Sequence, residues 1–227
     1  MTAARHRPDV VAFDVNETLL DLAPVGAALV ERGQPATLLP EVFSRTLLTG
    51  FAAAAVGGWC SFRTAFEASL AQLTELTAAD RTAVADTFLE LAPHPDVEPA
   101  LRRLTEAGVR AVTLSHGSPG VAEAGLSRGG VTPLVERTLT AESIRTWKPS
   151  REAYLWAAGV CDVEPGRMAL VAAHSWDVAG AQRAGLTGAF TSARSERVPS
   201  AAFDRPHVQG SSLPEVVDAL LALPPHG

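Results

Sequence analysis

Lysine is the residue this chain comes closest to lacking. Of its 19 basic residues 18 are arginine, and Lys148 stands alone. Arginine is a wide planar fork, whereas lysine is a compact charge on a thin stem, so the lone lysine marks a site with room only for an ammonium. Cysteine is nearly as scarce. Cys60 and Cys161 are far apart and lack CxxC spacing, which argues against a disulfide framework and a zinc site. No apolar run approaches the ~18 residues of a membrane span. Asp9 and Asp14 interrupt what would be a signal peptide's apolar region after Arg5, His6 and Arg7. The net charge of −6 gives no electrostatic reason to expect nucleic acid or an anionic membrane as partner. Internal repeats and low-complexity tracts are also missing. The expectation is a cytoplasmic protein acting on a small molecule.

What is present is organised around VVAFDVNETLLDL, residues 10–22. Val10–Phe13 has the wholly apolar pattern of a strand buried on both faces of a parallel sheet. Asp14 stands at its carboxyl end, where open α/β sheets bind ligands; a helix N-cap is the ordinary alternative for such an acid. Strand-like segments then stop for about seventy residues. Val25–Arg32, Pro40–Gly57, Ser61–Leu76 and Ala78–Leu91 carry apolar residues at helical spacing, with Thr77 and Asp80 as a capping box. From Pro93 onward, strands at 109–114, 134–139, 168–173 and 187–191 alternate with helices at 96–107, 119–128, 151–160, 178–184 and 216–223. That order predicts an α/β fold with a parallel central sheet flanked by helices and an all-helical insert after the first strand.

Three predicted strands end in polar residues: Asp14, Ser115, and the pair His174 and Asp177, while Lys148 enters from a loop before a helix. In a parallel sheet these segments converge on one edge. A carboxylate with an ammonium ~4–6 Å away stays ionised and is then a competent nucleophile. Ser115 can orient it, and the amides of His116 and Gly117 at a helix N-terminus can hold an anion.

FDVNETLLDL, TLSHGSP, WKPSREAY and LVAAHSWDVAGAQRAG, in this order, resemble the four motifs of the haloacid dehalogenase superfamily, and most of all the type II 2-haloacid dehalogenases. The resemblance covers nearly the whole chain. It implies a Rossmann-like core of residues 1–22 and 93–227 with a helical cap of residues 23–92. It implies Asp14 as nucleophile, Thr18 and Ser115 as hydroxyls that hold it or the substrate, Lys148 as its cationic partner and Asp177 as the fourth-motif acid. Val15, Asn16, His116, Gly117, Arg45, Tyr154, His174 and Trp176 complete the candidate substrate site.

The residues also bear on the reaction. Superfamily phosphatases resemble one another in carrying an acid two residues after the nucleophile, which protonates a leaving alkoxide. Here that position is Asn16, and a halide needs no proton. His174 and Trp176 around a single Asp177 are a poor set for Mg²⁺, which prefers hard oxygens. The expectation is therefore metal-free and cofactor-free displacement at an sp³ carbon: Asp14 attacks, an ester forms, and water, activated by Asp177, releases the product. Four positions, in three places, depart from the family pattern. Ser115 is followed by His116 rather than Asn. Ala172 and His174 replace Ser and Asn. Phe43 occupies the place of a cap arginine that grips the substrate carboxylate, leaving Arg45 as the candidate clamp one register away. A phosphatase, an enzyme of biosynthesis in which Asp14 acts as base for an intramolecular ring closure, and a non-catalytic partner subunit are the alternatives. A homodimer, or a partner protein in the biosynthetic case, stays open.

Overall fold

The computed structural model describes residues 5–192 and 194–226. Six parallel strands form one sheet in the order β3-β2-β1-β4-β5-β6. They are β1 (Val10–Phe13), β2 (Arg110–Ser115), β3 (Arg137–Thr140), β4 (Met168–Ala172), β5 (Thr187–Thr191) and β6 (Val208–Gly210). The chain winds outward from β1 through β2 to β3, then returns to the other side of β1 for β4. The gap between β1 and β4 is thus the switch point beyond which such sheets bind ligands. Phe13 pairs with both Thr113 and Val171, so Asp14 emerges level with the ends of both neighbours.

Side chains of β1 alternate between faces, as strand geometry requires. Val10 and Ala12 join the apolar cluster with Tyr154, Leu170 and Val178, under α7 (Arg151–Val160) and α8 (Ser175–Ala184). Val11 and Phe13 join the opposite cluster, under α5 (Val97–Glu106), α6 (Pro119–Arg128) and α9 (Leu213–Leu221). That second cluster runs without a break into four helices between β1 and β2: α1 (Ala23–Glu31), α2 (Leu38–Ala55), α3 (Phe62–Leu73) and α4 (Ala78–Asp86). Two of their starts follow local capping. Ser61 accepts from the Thr64 amide, and Thr77 with Asp80 makes the expected capping box.

Several boundaries and one element differ from the sequence expectation. β3 begins at Arg137 rather than 134, because Thr132–Leu134 forms a single 3₁₀ turn. α8 begins at Ser175 rather than 178, which puts Asp177 in its first turn. β6 was not expected at all: three residues with one buried side chain carry no periodic signal.

Candidate active site

Asp14 is held where β1 ends. Its amide donates to the Val171 carbonyl across the switch point at 3.0 Å. The chain then turns back sharply. Glu17 takes a left-handed φ of 62°, uncommon for a residue with a side chain, and the Leu19 amide returns to the Val15 carbonyl. The turn delivers Thr18 over the carboxylate. Its Oγ1 donates to Asp14 Oδ2 at 2.8 Å and accepts from the Ala173 amide at 3.0 Å, tying the two strand ends together.

Lys148 is fully buried. Its Nζ donates to Asp14 Oδ1 at 2.8 Å, to the Leu114 carbonyl at 2.8 Å and to Asp177 Oδ2 at 2.6 Å. An ammonium has three donors and no acceptor, and all three are used. The slot matches an ammonium, which accounts for a lysine here in a chain of arginines. Asp177 is closed on its other side as well. The Tyr154 hydroxyl donates to Oδ1 at 2.7 Å. This approach depends on Gly180, where a Cβ would lie 2.6 Å from both the Tyr154 hydroxyl and Pro149 Cβ.

His174 supplies a second cation. Its Nδ1 lies 3.3 Å from Asp14 Oδ2 and its Nε2 2.8 Å from Glu17 Oε2. Carboxylates only accept, so an imidazole facing one at each nitrogen carries both protons. Burial opposes that charge, but the bonds to Asp14 and Glu17 outweigh it and push His174 up to about 10. Burial likewise works to raise Asp14, yet Lys148 and His174 hold it well below the usual carboxylate range. Burial and the neighbouring charge of Asp14 push Asp177 upward, against Lys148 and Tyr154. Lys148 itself loses by burial and gains more from the two acids, so it stays charged.

Above Asp14 is a cavity lined by Asn16, Phe43, Leu47, Phe62, Ser115, His116, His174 and Trp176, with about 10 Å³ of space for a water centre. That volume suits roughly one water molecule. Aromatic rings close it. Phe43 stacks on His174 at 6.1 Å, Trp176 on His174 at 5.4 Å, and His116 lies 4.5 Å from Trp147 and 5.7 Å from Trp176. Trp147 is pinned by its Nε1–H to the Cys60 carbonyl at 2.8 Å, and α2 reaches it through Gly50, where a Cβ would lie 2.4 Å from the ring. A second cavity of about 200 Å³ adjoins the first through Asn16 and Phe62 and is lined further by Arg63, Phe66, Phe88, Gly117 and Glu142.

The structure brings Asp14, Asn16, Thr18, Ser115, His116, Lys148, His174, Trp176 and Asp177 together, and separates four of the expected residues. Arg45 is exposed on α2, off the face that carries Val42, Phe43, Thr46 and Gly50. Val15 is buried in the apolar core and meets the site only through its backbone. Tyr154 lies behind Asp177 and does not line the cavity. Gly117 lines the second cavity, with its carbonyl accepting from Thr140 Oγ1 at 2.6 Å. Asp177 has both oxygens engaged, by Lys148 and Tyr154, and is fully buried. Glu17 was not among the expected site residues, yet its side chain holds His174. No local signal links residues 157 positions apart. The ring of Phe62 was legible only as a helix-face apolar residue, whereas Phe43 was marked by standing where the resemblance expects a cap arginine.

Residues 8–185 match the family model for haloacid dehalogenase-like hydrolases. The chain belongs to that family. It is 28% identical over 215 residues to an (S)-2-haloacid dehalogenase of Xanthobacter autotrophicus, covering 90% of this chain and 81% of that one. It is 29% identical over 112 residues to an (S)-2-haloacid dehalogenase of Pseudomonas sp. strain YL. The chain spans about half the length of that relative, 48%, and 60% of a further one from Pseudomonas sp. strain CBS-3. Its fold is that of the L-2-haloacid dehalogenase from Xanthobacter autotrophicus solved with chloropropionic acid covalently bound. The TM-score is 0.84 at 21% identity, over 95% of this chain and 99% of that one.

Proposed function

We propose that this hydrolase displaces halide from a 2-haloacid through an ester on Asp14, giving the 2-hydroxyacid. The carrying observation is the buried carboxylate held ionised by Lys148 and His174 at the floor of a cavity walled by aromatic rings. A carboxylate stripped of water and ionised is a strong nucleophile toward carbon. Aromatic walls suit a haloalkyl group and a weakly hydrated leaving anion. The proposal is supported by the named activity of the Xanthobacter and Pseudomonas relatives and by the covalent complex of the Xanthobacter enzyme.

In this reading residues 23–92 act as a cap and residues 1–22 with 93–227 as the core. The cavity over Asp14 is too small for a haloacid, so Phe43, Leu47 and Phe62 move aside for substrate to enter from the larger cavity. With Arg45 outside, the substrate carboxylate falls to Ser115 and the amides of His116 and Gly117 before α6. A divalent cation fits poorly, because both oxygens of Asp177 are taken and Asp14 already faces two cations. Displacement therefore needs no metal. The reaction is placed in the cytoplasm, a location to which the two widely spaced cysteines give no objection.

The test has two readouts. Halide release from 2-chloropropionate or chloroacetate is expected to persist in a chelator. With excess enzyme in ¹⁸O-water, a single turnover is expected to label Asp14 and leave the product nearly unlabelled. Label passing directly into product would make Asp14 a general base and overturn the ester.

A further inference from the structure

The space over Asp14 shares two side chains, Asn16 and Phe62, with its larger neighbour. The neighbour has a different character. Ser61 caps α3 so that Phe62 and Phe66, four residues apart, project on one helical face. Phe88, from the 3₁₀ turn Thr87–Glu90, closes on both rings, with centroids 5.4 Å from Phe62 and 5.0 Å from Phe66. Ala85 and Val121 extend the apolar wall. The charged residues on this cavity offer nothing to an anion. Arg63 is already paired with Glu67 at 2.9 Å and Asp86 at 2.8 Å. Glu142 is itself acidic and has no ion-pair partner among the described residues. The volume of about 200 Å³ exceeds the roughly 150 Å³ in which an apolar protein cavity holds benzene. A halide and a carboxylate have no use for such a space, whereas a hydrocarbon group does.

Resting on the 2-haloacid reading, we propose that this cavity is the subsite for the substituent on the halogen-bearing carbon, and that the preferred substrates carry an apolar group of benzyl or butyl size there. The halogen-bearing carbon sits at Asp14, with its carboxylate on Ser115 and the amides of His116 and Gly117. Gly117 also lines the larger cavity, so the substituent leaves that carbon between Asn16 and Phe62 and enters the cavity directly. Phe62 is the partition. It meets Phe66 and Phe88 on one side, and Phe43 at 6.1 Å and Trp147 at 6.3 Å on the other. The substrate's tail therefore stays in the space through which its head entered, and burying it removes apolar surface from water. A tail ending in a carboxylate would lose its water beside Glu142 with Arg63 already paired, so dicarboxylates are rejected. Chloroacetate, with no substituent, gains none of this binding.

The experiment measures kcat/KM of the full chain for halide release from 2-chloropropionate, 2-chlorohexanoate, 2-chloro-3-phenylpropionate and 2-chloroadipate. An apolar pocket separates substrates that differ by one methylene by about 10–200-fold. The hexanoate and the phenylpropionate are therefore expected to exceed 2-chloropropionate by at least ~10-fold, and the adipate to fall below the hexanoate. Unreactive 3-phenylpropionate is expected to compete with substrate at least ~10-fold more tightly than propionate. Ala85→Leu and, on a different helix, Val121→Phe fill the cavity. Each is expected to lower the ratio of kcat/KM for the phenylpropionate to that for 2-chloropropionate by at least ~10-fold. A mere entrance would slow both substrates alike, so an unchanged ratio in a folded variant overturns the proposal. A wild-type series that is flat, or that favours the adipate over the hexanoate, overturns it without any variant and leaves the 2-haloacid reading standing. Halide release from no member of the series overturns that reading, and the subsite with it.

Discussion

The two sides of Asp14 are built on opposite rules. On the Lys148 side every donor meets an acceptor: ammonium to Asp14, Asp177 and Leu114, tyrosine hydroxyl to Asp177. On the cavity side His116 and Asn16 end in atoms that meet nothing. A satisfied buried network fixes geometry, and truncating it is costly. Unpartnered polar atoms beside a cavity are instead available to a ligand. His174 stands at the boundary, saturated like the first side yet lining the space of the second. Stability and chemistry are thus separated across one carboxylate, and substitutions should sort accordingly.

The largest effect is expected from Lys148→Arg on the saturated side. Charge is conserved, but a planar fork cannot aim three donors at three acceptors from a fully buried slot. Mispairing a buried charge costs about 3–5 kcal/mol, and each kcal/mol moves the midpoint by roughly 2–4 °C for a chain of this size. Thermal unfolding should show that fall, and halide release should drop at least ~100-fold. Near-normal turnover would mean the slot is permissive and the separation of roles false.

Next is His174→Asn, which removes the boundary cation. His174 rises from an ordinary 6.5 to about 10 in the folded chain. A raised base binds its proton more tightly folded than unfolded. Its stabilisation is therefore complete below about pH 6.5 and fades as pH climbs toward 10. The gap in Tm between wild type and variant should be widest near neutrality and narrow toward pH 10. A constant gap would show that the ring contributes by packing between Phe43 and Trp176 rather than by charge.

What was legible in the sequence follows the same division. Asp14, Ser115, Lys148 and Asp177 stand at strand ends or before helices, so the alternation of elements was enough to gather them. The helical face of α2 was also available: Val42, Phe43, Thr46 and Gly50 recur at three and four residues and place Arg45 outside. Spacing alone, without that periodicity, kept Arg45 as a candidate. The Glu17–His174 bond depends on a left-handed residue in a five-residue turn, and a favourable residue type such as glycine does not announce it. β6 is too short to carry alternation and is specified by pairing with β5.

A smaller loss is expected from Gly180→Ala. The added methyl would lie 2.6 Å from the Tyr154 hydroxyl, and overpacking costs about 1–3 kcal/mol. Because Tyr154 holds Asp177 from behind the cavity, kcat should fall more than KM rises. Tyr154→Phe should produce a similar shift in kcat, and the double variant less than the sum, since the two act through one contact. Additive losses would break the chain from Gly180 to Asp177.

The smallest effect is expected from Arg45→Ala. The side chain is exposed on the outer face of α2 and meets no hydrogen-bond partner among the described residues, while the Arg45 carbonyl accepts from Thr49 Oγ1. Surface changes of this kind fall within about ±0.5 kcal/mol, and KM for a 2-haloacid should stay unchanged. The position facing the cavity is Phe43, stacked on His174 at 6.1 Å. An arginine there would bring a third cation toward Lys148 and His174, so Phe43→Arg is expected to weaken the site while His174 is charged. The resemblance drawn from the motifs implies arginine and asparagine where this chain has Phe43 and His174. Phe43→Arg should accordingly be better tolerated in a His174→Asn background, with a coupling of about 0.5–3 kcal/mol between the two positions in KM and Tm. A rise in KM on Arg45→Ala would instead return the carboxylate clamp to α2's outer face and require the helix to turn on binding.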